Sequence, residues 1–224
     1  MKRKLLIILI FIIIIFALPA STLALFNLTN LLEQPKEVVL SELNYSLKNR
    51  HDDAFVNEVF VDNILLTLNY LSGEIKVGEK FSWQEVKKYD SSQLILKPGE
   101  TFAFHDTVDE KYKDKVKITT KAHFNSREGF KSDGYLVGDG VCHLASFLKV
   151  AAQKAGLMVE APTNHNFAKI NDVAWEDGVS IFYSPGNALS SAQQNLYVTN
   201  TKGKTIAFVF THKDQGLNIK VKEF

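Results

Sequence analysis

Gly138-Asp139-Gly140-Val141-Cys142-His143-Leu144-Ala145-Ser146-Phe147-Leu148-Lys149-Val150-Ala151-Ala152-Gln153-Lys154-Ala155-Gly156 is a glycine-rich turn, a helical run and a glycine stop. At about 100° per residue, Leu144, Phe147, Leu148, Ala151 and Ala155 share one apolar stripe. Cys142 lies on the opposite side with Ser146, Lys149 and Gln153. Strand-like segments flank this helix on both sides, which predicts an α+β domain. In it, one central helix opening at the Gly-rich turn packs on a mainly antiparallel sheet.

Working outward, residues 91–105 read as strand, Pro98-Gly99 turn and strand, and residues 106–132, dense in charge, as an exposed loop or hairpin. Downstream, 160–167 is a loop and Val179 to Tyr183 a strand. Leu196 to Thr199 and Ile206 to Phe210 form a hairpin around Lys202-Gly203-Lys204, and Leu217 to Phe224 is a last strand. Upstream, Phe55, Val59, Ile64, Leu65, Leu68 and Leu71 recur at helical spacing before Gly73, an N-terminal amphipathic helix. Residues 27–50 read as a tether with one short helix around Glu37 to Leu47.

Lys2, Arg3 and Lys4 precede fourteen apolar residues, Leu5 to Leu18, then Pro19 and a small-residue stretch ending at Ala24. Residues 1–24 are therefore a secretory signal peptide or an uncleaved membrane anchor, and either places the body outside the cytoplasmic membrane. The rest of the chain carries 23 basic against 25 acidic groups, which excludes a nucleic-acid footprint. Residues 25–76 read as tether and helix, and 77–224 as the main domain.

An exported chain with the single cysteine Cys142 has no internal disulfide. At a helix start the thiol meets the positive end of the helix dipole, and the N–H groups of Gly140 to Cys142 offer an oxyanion site, with space left by the glycines for a substrate backbone. His165, 23 residues on, is the candidate base, and Asp177 the group that orients it, with Asp172 behind. Gly138, Asp139, Gly140, His143, Asn164 and His105 complete the candidate binding set. His105, Cys142, His143 and His165 are also metal-ligand types, but they lack the paired spacing of a zinc site, and neither metal nor cofactor is expected.

Leu96-Lys97-Pro98-Gly99-Glu100-Thr101-Phe102-Ala103-Phe104, Gly134-Tyr135, Gly138-Asp139-Gly140-Val141-Cys142, Ala155-Gly156-Leu157, His165 and Asp177-Gly178-Val179-Ser180-Ile181 occur in an order that resembles the VanW family, over residues 92–210. That family occurs in exported and membrane-attached bacterial proteins and takes its name from a glycopeptide-resistance gene cluster. The resemblance matches Cys142 to the family cysteine and His165 to the second histidine of its Arg-His-Pro-His motif. The chain departs from it at Asp139, where the family has glycine, at His143, where it has glutamine, at Ala145-Ser146-Phe147, and at Thr163 or Pro162. The resemblance implies an extracytoplasmic envelope protein. Two functions follow as expectations. One is a Cys/His-dependent hydrolase or acyl transferase on envelope peptide or amide bonds. The other is a non-catalytic module that binds peptidoglycan or an envelope protein, with Cys142 and His165 structural. A membrane partner enters only through an uncleaved N-terminal segment.

Overall fold

The computed structural model describes residues 37–224, so the signal or anchor and the first part of the tether, to residue 36, lie outside the described residues. Residues 37–224 form one compact unit, and the boundary expected at 76/77 falls inside it. The fold is mixed α+β, with four α-helices and two four-stranded sheets among the described residues.

Its hub is the quoted segment. The chain turns at Gly140, which has φ 97°, into a helix over Val141–Lys154. It ends at Gly156, φ 71°, where Gly156 N–H donates to Gln153 O and Leu157 N–H to Ala152 O. Numbering helices in chain order, this is α3, preceded by α1 (Ala54–Ser72) and α2 (Trp83–Lys88) and followed by α4 (Ala188–Gln193). Helix α1 is capped by the Asp53 side chain on Val56 N–H and stopped by Gly73 in the left-handed region. Ile64, Leu65 and Leu68 of α1 join Leu144, Phe147 and Leu148 of α3 in a single core.

Strands β1 (Val38–Ser46), β8 (Gly216–Glu223), β7 (Ile206–Lys213) and β2 (Ser91–Leu96) form one sheet in that order, antiparallel throughout. Strands β4 (Val116–Thr119), β3 (Thr101–Ala103), β6 (Tyr197–Thr199) and β5 (Met158–Glu160) form the second, in which β3 and β4 run parallel. Two sheets, one of them mixed, replace the single mainly antiparallel sheet expected.

The segment expected as a short helix at 37–47 is β1. Tyr45 and the following Leu47 point into the core, and the backbone pairs along all of β8, an edge that a helix would leave unbonded. The strand, turn and strand expected at 91–105 form, but the hairpin expected around Lys202-Gly203-Lys204 does not. The Pro98-Gly99 turn carries the chain from β2 in one sheet to β3 in the other, and residues 200–205 carry it back from β6 to β7. Buried Asn200 staples the two crossings: it accepts Gly99 N–H on its carbonyl, and its side-chain amide donates to Leu96 O and Lys204 O. The hairpin that does form is β7–β8, around Asp214 and Gln215 at φ 51° and 60°, a pair of left-handed residues whose twist suits adjacent strands.

Residues 106–132 are more than an exposed loop. They supply β4 and bury Tyr112, Ala122, Phe124 and Phe130 beneath their charged surface. Residues 179–183 form no regular strand, because their N–H groups go to scattered partners, Val179 to Ser146 Oγ, Ser180 to Thr163 O, Ile181 to Cys142 Sγ and Phe182 to Gln194 O. Among the described residues no helix is long and apolar enough to cross a membrane.

Candidate functional site

The N-terminal end of α3 opens onto a cavity of about 730 Å³. Gly138, Asp139, Gly140, Cys142, His143 and His165 all line it, so the fold brings together six of the nine candidate residues read from the sequence. Asp177, Asn164 and His105 lie outside its wall.

The glycines serve the scaffold rather than a substrate. A β-carbon on Gly140 would sit 2.5 Å from Phe60 O on α1, and one on Gly138 would sit 3.0 Å from Phe124. The room they leave is filled by protein. Asp139 does not cap α3; its carboxylate accepts Asp133 N–H at 3.4 Å, and burial, followed by the nearby Asp133 charge, raises its pKa to about 6.

Cys142 is half-buried, and among the described residues both hydrogen-bond partners of its sulfur are on Ile181. Sγ accepts Ile181 N–H at 3.4 Å and donates to Ile181 O at 3.6 Å. Burial, reinforced by the Asp139 charge, pushes the thiol up to about 11, outweighing the Ile181 N–H, which acts the other way. One turn on, Ser146 Oγ donates to Cys142 O at 2.7 Å and accepts Val179 N–H at 2.9 Å. The face of α3 expected to be free is thus covered by residues 179–181.

His165 is buried at 7% exposure, in the loop after β5. Its backbone is tied to the returning segment by its N–H on Gly178 O, at 3.3 Å. Gly178 fits closely there, since a β-carbon would crowd His165 O at 3.0 Å. The imidazole is oriented by the Ala168 carbonyl, which accepts from Nδ1–H at 3.0 Å and so leaves the lone pair on Nε2. This corrects the role assigned to Asp177, which faces Lys149 at 3.7 Å from a turn at 175–177. Asp172, the second candidate for that role, pairs with buried Arg50 at 2.5 Å. Asn164 holds the same turn through Nδ2 on Trp175 O and Glu176 O. Burial lowers the pKa of His165.

His143 faces the same space at 5% exposure, edge-on to Phe60 with ring centroids 4.9 Å apart. Its Nδ1 is buried without a partner among the described residues. Burial, with some help from the Arg50 charge, drops its pKa to about 3. His143 and His165 stand 86° to each other with centroids 6.4 Å apart. His105 is fully buried elsewhere, its Nε2 on Gln194 O at 3.2 Å, and burial lowers it to about 4. It holds the segment that follows α4, at Gln194 and Asn195.

Sequence reading missed His123, Arg50 and the aromatic wall. His123 also lines the cavity, with Nε2 3.0 Å from Asp106 and Nδ1 3.2 Å from Glu128, its ring against Tyr183 at 4.0 Å. Arg50 reaches it from the chain before α1, donating to Asn171 O at 2.8 Å and lying over the Phe147 ring. Phe60, Phe124 and Tyr183 come from three further segments, and no local pattern marks residues so far apart in the chain as neighbours. Among the described residues no group of three or more His, Cys, Asp or Glu side chains is placed to hold a metal ion.

Comparison with family models, with curated proteins and with solved structures finds no match to this chain.

Proposed function

We propose that the chain is a VanW-like, extracytoplasmic cell-envelope protein whose cavity binds an envelope ligand without cleaving it. The Gly138–Gly140 turn and α3 are the centre of the VanW-like region, and the N-terminal segment read from the sequence exports or anchors the domain. Peptidoglycan or an envelope protein is the source of the ligand. The observation that carries this reading is the bonding of Cys142. A sulfur that exchanges two hydrogen bonds with the Ile181 backbone, and titrates at about 11, is a protonated wall group at neutral pH rather than a nucleophile. The cavity's size and its wall, in which aromatic and aliphatic side chains alternate with polar and charged ones, fit a binding site.

One observation favours the alternative, a Cys/His-dependent hydrolase or acyl transferase on envelope peptide or amide bonds: the Nε2 lone pair of His165 belongs to a ring that lines the same cavity as the thiol. Iodoacetamide labelling of Cys142 across pH separates the two. Binding without cleavage predicts a labelling midpoint near 11 that His165→Ala leaves in place. A midpoint at or below about 8.5, the free-thiol value, that rises in His165→Ala would overturn it.

A further inference from the structure

The two buried histidines of the cavity offer opposite halves of a hydrogen-bonding pair. In His165, Nδ1–H is spent on Ala168 O, so Nε2 is an acceptor. In His143, Nδ1 is buried and unpartnered. A bare N–H at such a position costs more than a bare lone pair, which puts the ring proton on Nε2 and makes it a donor. Nε2 is in each case the remaining polar atom of a ring on the cavity wall, and the rings stand 86° apart in plane with centroids 6.4 Å apart, within reach of one ligand group.

The ligand chemistries that satisfy both nitrogens are few. A carboxylate would accept from His143 but meet the lone pair of His165, and an ammonium group would do the reverse. An alkyl chain would leave both buried groups unpaired. A backbone amide carries an acceptor oxygen and a donor nitrogen on one carbonyl carbon, pointing opposite ways in the trans peptide, and satisfies both when it lies between the two rings. A sugar hydroxyl could also do so, since the wall sets the polar Asn125, Ser126 and Gln194 beside Phe60, Phe124 and Val141; the exposed lip decides for a peptide. Three large apolar side chains on the cavity wall are exposed, Leu136 at 59%, Phe167 at 70% and Phe182 at 50%, with Arg127 and Lys169 beside them. Such a lip suits apolar side chains on either side of a held peptide unit.

We infer that the cavity takes a neutral peptide segment with apolar side chains, and that His143 and His165 hold one of its backbone amides, the carbonyl accepting from His143 Nε2–H and the amide N–H donating to His165 Nε2. The inference rests on the binding reading above and names its ligand class.

Titration calorimetry of the protein with N-acetyl-leucyl-phenylalanine amide, and with the depsipeptide in which an ester oxygen replaces the central N–H, tests it. The depsipeptide should bind about tenfold more weakly, because it leaves the His165 acceptor facing an ester oxygen. His165→Gln, which keeps an acceptor, should preserve the difference and His165→Phe should erase it. The first comparison needs no variant, so it stands even if one fails to fold. Long-range nitrogen–proton spectra should report the proton of His165 on Nδ1 and that of His143 on Nε2. Equal affinity for amide and ester overturns the inference while leaving a binding cavity in place. Tighter binding of N-acetylglucosamine or lauric acid than of the peptide overturns it in favour of a glycan or a lipid. Cleavage of the peptide, seen by mass spectrometry, supports the amide site and overturns the non-catalytic reading. Failure of every probe to bind overturns both.

Discussion

Two histidines kept neutral by burial set how this protein responds to acid. His143 titrates at about 3 and His105 at about 4 in the folded chain, against 6.5 when exposed. Above 6.5 neither state takes the proton and their effect on stability is level. Below it the unfolded chain binds protons the folded chain refuses, so stability falls with pH, down to about 4 for His105 and about 3 for His143. The slope is up to about 1.4 kcal/mol per pH unit for each. Asp139, raised from 3.8 to about 6, acts in the opposite sense between those values and offsets part of the loss. The urea midpoint should therefore be clearly lower at pH 5 than at pH 7, and His143→Phe should flatten the difference. Equal midpoints at the two pH values would refute the burial argument. At this scale the sequence was readable for residue types and blind to partners. Cys142 and His165 stood out by position at a helix start and in the following loop, and both line the cavity. That the imidazole would lean on the Ala168 carbonyl rather than a carboxylate could not be read, because a backbone acceptor leaves no mark in composition.

Among the elements, α3 does the most to assemble the site, and Ser146 is the joint between it and the segment that covers Cys142. Its hydroxyl donates to half-buried Cys142 O and accepts the buried Val179 N–H. Ser146→Ala strands a buried N–H, a cost of about 1–3 kcal/mol. The expected readout is a loss of stability of that size in chemical denaturation, with faster hydrogen exchange at Val179 and Ile181 than elsewhere. Faster iodoacetamide labelling of Cys142 should accompany it as the cover loosens. Unchanged exchange at Val179 would rule out the joint. The bounds of α1 and α3 were legible because helical periodicity and glycine stops are local signals. β1 was not, since its nine residues become a strand only against β8, almost the whole chain away. Pro98-Gly99 and Lys202-Gly203-Lys204 were legible as turns, yet a turn residue does not reveal whether its two strands pair with each other or part into different sheets.

Across the molecule, Phe147 is where the layers meet. It stacks on Tyr45 beside β8, centroids 3.8 Å apart at 14°, lies under the Arg50 guanidinium, and shares a core with α1 and the strands of both sheets. Phe147→Ala should cost about 3–5 kcal/mol. Because a single core joins both sheets, circular dichroism and tryptophan fluorescence should still report one shared transition at a lower midpoint. Separate transitions would show that the sheets fold as independent units. By itself the sequence determined the mixed α+β class, the helix that opens at Gly140, the absence of an internal disulfide, the export-type N-terminal pattern and the pairing of a cysteine with a histidine as the residues to watch. Those are properties of neighbours along the chain: period, cap, stop and count. Only the tertiary structure decided that the strands divide into two sheets, that the glycines make room for Phe60 and Phe124, that Ile181 takes the thiol, and that His143 and His165 line one cavity. Each of those depends on which distant segments exclude water together, and burial is a property of the folded chain.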